Sequence, residues 1–128
     1  MFKENAEHFI ENSSIGIHAV SPEGIVVYAN EWELEVLGYD KEEYVGHHVS
    51  EFQLDQDSLA DMMRRLGRFE TLNNYPARVK GKDGTKYIIY NSSVYVEHGE
   101  FRHTRCYGTE VTEVIYEVFL KHFQTLRI

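Results

Sequence analysis

A chain of 128 residues is long enough to bury one core and too short for a catalytic domain plus a regulatory one, so one compact domain is expected. Its net charge of -8 argues against a nucleic-acid or anionic-membrane surface, since the one tight basic cluster, Arg64, Arg65 and Arg68, is diluted by acidic neighbours. Cys106 is the sole cysteine, which excludes an internal disulfide, a CxxC pair and a cysteine-rich zinc site and fits a reducing, cytoplasmic setting.

No apolar run nears the ~20 residues that cross a bilayer, and Met1 to Asn5 lacks the layout of a signal peptide, so no direct membrane contact is expected. Phe2, Ala6, Phe9 and Ile10 form a helical stripe that ends by Ser13. Ile15 to Val20 is β-prone, stops at Ser21-Pro22-Glu23-Gly24 and resumes at Ile25 to Tyr28, which predicts a hairpin. Asn30 then caps a helix carrying Trp32, Leu34 and Val36-Leu37, stopped by Gly38. Asp40 caps a second short helix through Tyr44, ended by Gly46. A third helix starts near Asp57 or Ser58, with Leu59, Met62, Met63 and Leu66 on one face, and ends at Gly67.

From Thr71 the period changes to that of strands. Tyr75, Ala77 and Val79 alternate with polar residues, Lys82-Asp83-Gly84 is a hairpin turn, Tyr87 to Val96 is a long strand, and Phe101 to Thr109 returns after His98-Gly99-Glu100. Thr112 caps a terminal helix with Val114, Ile115, Val118, Phe119, Phe123 and Leu126 as its apolar side. The predicted class is α+β: a five-stranded antiparallel sheet with helices on one face, plus N- and C-terminal flanking helices.

The order of these turns and caps resembles the PAS domain family from about Phe9 to Glu113. The carriers are Tyr28-Ala29-Asn30 with Leu37-Gly38-Tyr39, then Lys82-Asp83-Gly84, then Gly99 followed by Phe101, and last Glu110-Val111-Thr112-Glu113. The family usually ends its last strand with Asp-x-Thr, and Glu110 replaces that Asp. The resemblance divides the chain into a flanking helix at 1–13, the PAS domain at 14–112 and a signalling helix at 113–128. It implies a noncatalytic sensor or interaction module, with a ligand cavity between sheet and helices and a dimerising outer sheet face. The parent implied is a sensor histidine kinase or a similar regulator, with its output domain in the same chain.

The sequence assigns no cofactor. Val49 stands where the LOV branch of the family carries its adduct-forming cysteine, which excludes the covalent flavin adduct. Haem is disfavoured because Ser58 to Leu66 has no histidine, and noncovalent flavin because Trp32 and the tyrosines have spacings that ordinarily mark a core. His98 and His103 flank a turn without a third convergent ligand, so no metal site is expected. There is no nucleophile elbow or P-loop, and no catalytic residues are assigned; His18 is the one candidate acid-base group were this a small enzyme of another fold.

By analogy with the family, His18 faces the cavity with Val20. Tyr75, Ile89, Asn91, Ser93, Thr104 and Cys106 complete the expected ligand-binding wall, suited to a small polar ligand. Tyr90, Val94, Val96, Phe101 and Tyr107 are then expected on the outer face, to be covered by the N-terminal helix at Phe9 and Ile10, by a second copy of the chain, or by both. Phe9, Tyr90, Phe101 and Tyr107 are thus the expected homodimer contacts, and Glu110 and Thr112 the signal relay. Three function classes follow: a ligand sensor, a ligand-free dimerisation module, and a haem- or flavin-based redox or gas sensor.

Overall fold

A computed structural model describes residues 1–126, with side chains as far as Phe123, so the expected apolar contact of Leu126 lies outside the described side chains. In chain order the elements are α1 (Ala6–Glu11), β1 (Gly16–Val20), β2 (Val26–Ala29), α2 (Glu31–Leu37), α3 (Lys41–Tyr44), a 3-10 turn (Val49–Glu51), α4 (Gln56–Gly67), β3 (Leu72–Gly81), β4 (Gly84–Glu97), β5 (Glu100–Val111) and α5 (Glu113–Leu126). The five strands form one antiparallel sheet in the order β2-β1-β5-β4-β3, so the last strand lies at its centre. The core lies between one sheet face and α2, α3 and α4, where Leu37, Tyr44, Phe52, Leu59, Met62 and Leu66 pack against the strands.

The predicted turns form where local chemistry demands them. Gly38 ends α2 in the left-handed region at φ 82°, with its N–H donating to the Leu34 carbonyl oxygen at 2.8 Å. His98 and Gly99 both take positive φ, 54° and 77°, which is the twist a two-residue hairpin requires. Asn30 does more than cap. Its Oδ1 accepts the backbone N–H groups of Glu33 and Ile17, each at 3.0 Å, while Nδ2 donates to the carbonyl oxygens of Ile10 (2.9 Å) and Ile15 (3.0 Å). One fully buried amide therefore ties α1, β1 and α2 together.

Three expectations about sheet faces and α5 need correction. The inward set on β4 is Ile88, Tyr90, Ser92 and Val94, not Ile89, Asn91 and Ser93, because the pairing sets Tyr90 opposite Gly108, Ser92 opposite Cys106 and Val94 opposite Thr104. A register irregularity between Tyr95 and Val96 pairs Val96 with Phe101 and leaves Arg102 unmatched. Phe101 thus turns inward and packs against the core. On α5, Val114, Ile115 and Val118 are exposed, and the face that packs is Tyr116, whose ring meets Tyr87, and Phe123, whose ring meets Tyr75.

Asn30→Ala removes four hydrogen bonds and leaves buried polar groups unpaired, so it should lower the unfolding free energy by about 2–4 kcal/mol. Urea denaturation checks this, and a loss below about 0.5 kcal/mol, the size of an ordinary surface change, would contradict the role given to Asn30.

Candidate functional site

Side chains on the inner sheet face stand in rows that cross the strands. Gly16 of β1, Gly108 of β5, Tyr90 of β4 and Tyr75 of β3 form one row; His18, Cys106 and Ser92 form the next; Val20, Thr104 and Val94 the third. The two glycines of the first row leave space. A Cβ at Gly16 would stand 3.0 Å from Glu33 Oε1, and one at Gly108 would stand 3.1 Å from the Tyr90 ring. Glu33 descends from the first turn of α2 into that space and is 2% exposed.

His18 Nδ1 lies 2.5 Å from Glu33 Oε2, with both side chains buried, as a close charge contact and not an aligned hydrogen bond. Cys106 is the direct neighbour of His18 across β1 and β5, and the two groups act on each other's charge. Cys106 Sγ in turn lies 3.1 Å from Thr104 Oγ1, and Thr104 Oγ1 accepts the Val20 N–H at 2.9 Å. The Tyr44 and Tyr90 rings meet the imidazole edge-on, with centroids 6.3 and 5.8 Å away, and the Tyr44 hydroxyl sits 3.5 Å from Glu33 Oε2. The titratable groups around His18 are therefore Glu33 from α2, Tyr44 from α3, Tyr90 from β4 and Cys106 from β5.

Burial alone would push the His18 imidazole toward neutrality, but the Cys106 sulfur and the Glu33 carboxylate outweigh it and hold its pKa well above the ordinary 6.5. Burial likewise opposes ionisation of Cys106, yet the adjacent imidazolium and hydrogen bonds from His18, Ser92 and Thr104 bring its pKa below the ordinary value. Burial, followed by the Glu33 charge, pushes the Tyr44 and Tyr90 phenols well up and keeps them neutral. Among the described residues no three His, Cys, Asp or Glu side chains gather closely enough to hold a metal ion.

His18, Cys106, Ser92 and Thr104 line an inner cavity of about 40 Å³, closed on the helical side by Val49, Leu59, Met62, Met63 and Leu66. A bound water needs about 10–15 Å³ of such space and a drug-sized ligand about 300–1,000 Å³, so this one takes one or two water-sized molecules. Gln53 and Met63 are its lining residues that are not fully buried.

Of the residues singled out from sequence, the structure brings His18, Thr104 and Cys106 together at this cavity. Tyr75 lies one row away, and its hydroxyl donates to Asp61 Oδ2 of α4 at 2.7 Å. Ile89 is buried on the opposite sheet face, where α5 also packs. Asn91 on that face is exposed and accepts the Asn74 N–H at 3.0 Å, and Ser93 is half-buried there. Tyr90, expected outside, is a cavity wall. The sequence reading missed Glu33 and Ser92. Glu33 lies four residues before the buried Leu37, so its place on the inward stripe of α2 was visible; its spacing from Asn30 reads equally as an exposed capping residue.

The outer face carries a second feature. Ile17, Ala19, Val27, Tyr28 and Tyr107 form an apolar groove of about 600 Å³, with Ile10 of α1 at its rim. The α1 helix thus borders this face and leaves it open. Tyr107 is 40% exposed in the groove, and Phe9 is exposed on α1 with its ring against Phe2. At the end of β5, Glu110 pairs with Lys86 at 3.5 Å, and Thr112 Oγ1 accepts the Ile115 N–H at 3.3 Å as the cap of α5.

A five-stranded sheet in this order, with three short helices closing a cavity on one face, defines a small sensory-type α+β domain. The family model for the PAS domain matches residues 12–113, and the chain belongs to that family. No curated protein matches it. Among solved structures, the PAS domain of an HTR-like protein from Haloarcula marismortui has a TM-score of 0.70 at 22% identity, covering 82% of this chain and 88% of that one. The PAS domain of a two-component sensor histidine kinase has a TM-score of 0.71 at 14% identity, covering 83% of this chain and 93% of that one. The blue-light photoreceptor Aureochrome1 LOV in its dark structure reaches 0.76 at 12% identity, covering 100% and 98%. At these identities the likeness is one of fold.

The charge arrangement has a definite pH signature. Stability contributed by His18, whose pKa is raised, is complete below pH 6.5 and is lost as pH rises through the folded value. Cys106, whose pKa is lowered, contributes stability that is complete above 9.0 and is lost as pH falls through its folded value. Where the two windows overlap the contributions oppose each other, so the wild-type dependence on pH is weaker than either group alone would give. Cys106→Ser removes the Cys106 contribution together with the leading influence that raises His18, so its stability profile should depart from that of wild type across this range. Unfolding midpoints across this range check it, and a shared profile for wild type and Cys106→Ser would contradict the pairing.

Proposed function

We propose that this PAS domain is the sensory input module of a larger signalling protein, such as a sensor histidine kinase, whose output domain follows in the same chain. The single observation that carries the reading is the path of β5. It lines the inner cavity with Thr104 and Cys106, runs unbroken to Val111, and hands over at Thr112 to α5. A second contact leads the same way, since Tyr75 borders the cavity row and its ring meets that of Phe123 at a tilt of 60°, with centroids 4.6 Å apart. Segment 14–112 then senses, 1–13 flanks it, and 113–128 carries the state outward, on the cytoplasmic side and without catalysis of its own. The mechanism is a population shift in how the central sheet packs against α5.

The signal is a very small polar molecule or a chemical change in the wall. The residues do not fit a flavin or a haem: the cavity holds about 40 Å³, Val49 occupies its helical wall, and α4 offers no histidine. A second reading, dimerisation through the outer sheet face, is favoured by the open apolar groove at Tyr107. Phe101 and Tyr90 drop out of it because they face inward.

His18→Gln discharges the cavity wall and should alter amide exchange at Ile115 and Tyr116, in the first turn of α5, by roughly fivefold, the equivalent of about 1 kcal/mol. Unchanged protection in a folded variant would sink the relay. For the second reading, Tyr107→Glu should convert a sedimenting dimer to monomer; a monomeric wild type, or a dimer indifferent to the change, would remove it.

A further inference from the structure

Cys106 is a small buried side chain that the chain surrounds with polar partners. It is buried, set directly across the strands from His18 on one side and Ser92 on the other, and lies 3.1 Å from Thr104 Oγ1. Behind the imidazole stands Glu33, 2.5 Å from Nδ1. A carboxylate, an imidazole and a thiol in sequence orient and charge the imidazole so that it favours the thiolate. Independently of the thiol, His18 is buried and lines the cavity, with an Nδ1 that has no aligned hydrogen-bond partner. The cavity beside the sulfur is sized for one or two water-like molecules.

We propose that Cys106 is an oxidisable thiolate that takes one oxygen from hydrogen peroxide admitted to the inner cavity. The sulfur attacks one peroxide oxygen and the O–O bond breaks. Sulfur is oxidised to a sulfenic acid, peroxide is reduced, and the leaving hydroxide takes the His18 proton and departs as water. His18 is a positioning residue that supplies charge and that proton. Its loss of charge leaves the buried Glu33 carboxylate without its counter-ion, an expensive state that another packing of α2 on the sheet would relieve. A cavity of about 40 Å³ takes a neutral oxidant of two oxygen atoms and leaves no room for a bulky thiol reagent, which gives the site its selectivity. This inference rests on the cavity being the sensory site. It differs from the relay in its readout.

The test treats the whole chain with hydrogen peroxide and follows oxygen uptake at the Cys106 peptide by mass spectrometry, with the urea-unfolded chain and His18→Gln for comparison. In the folded wild type the rate should exceed that of the unfolded chain by roughly tenfold near neutral pH and climb less steeply between about pH 6 and 8 than a free thiol's rate does. His18→Gln should fall toward the rate and pH profile of a free thiol. A folded wild type that reacts no faster than the unfolded chain overturns the proposal even if His18→Gln fails to fold. A His18→Gln rate and profile matching wild type overturns it as well. Amide exchange in α5 is measured on the same oxidised sample: oxygen uptake with unchanged α5 supports the thiol chemistry and rejects the relay.

Discussion

The structure depends on keeping one carboxylate out of water. Glu33 is 2% exposed, and an ionised carboxylate in that position is tolerable only beside a matching charge. His18 supplies it from the neighbouring strand. Much of the local architecture serves this contact. Gly16 lacks the side chain that would block Glu33, Asn30 fixes where α2 begins, and the edges of Tyr44 and Tyr90 shield the imidazole from solvent. Removing one partner from such a pair costs about 3–5 kcal/mol, so any event that discharges His18 acts on the whole sheet-to-helix interface.

The topology converts that local energy into a directional one. Because β5 is central, its inward residues Thr104 and Cys106 meet β1 on one side and β4 on the other, and its end is the entry to α5. The α5 helix in turn lies along β3 and β4 through Tyr116 and Phe123 while presenting Val114, Ile115 and Val118 to solvent. A change at the cavity reaches the helix through the strand and through Tyr75, both of them packed elements with discrete alternatives. Glu110, where the family usually has Asp, keeps a polar role here by pairing with Lys86.

The fold was legible in the sequence because its signals are local. Gly38, Asp83-Gly84, His98-Gly99 and Asn30 dictate turns and caps through their own backbone preferences, and those marks sit within a residue or two of the observed boundaries. The cavity was legible only in part. His18, Thr104 and Cys106 lie on strands whose alternation is unambiguous, whereas Tyr87 to Val96 carries apolar side chains on both faces. On such a strand the period cannot choose a side, and the pairing of Ser92 with Cys106 decides it. Phe101 was misplaced for a related reason, since the unmatched Arg102 shifts the alternation by one. Glu33 was hidden by its own plausibility as a capping residue.

His18 is a buried imidazolium held by Glu33 and Cys106. Nitrogen-15 NMR of the His18 ring in the folded chain measures this directly. Both ring nitrogens should be protonated at neutral pH, with titration only well above 6.5. A neutral ring at neutral pH, or one that titrates below that value, would contradict it.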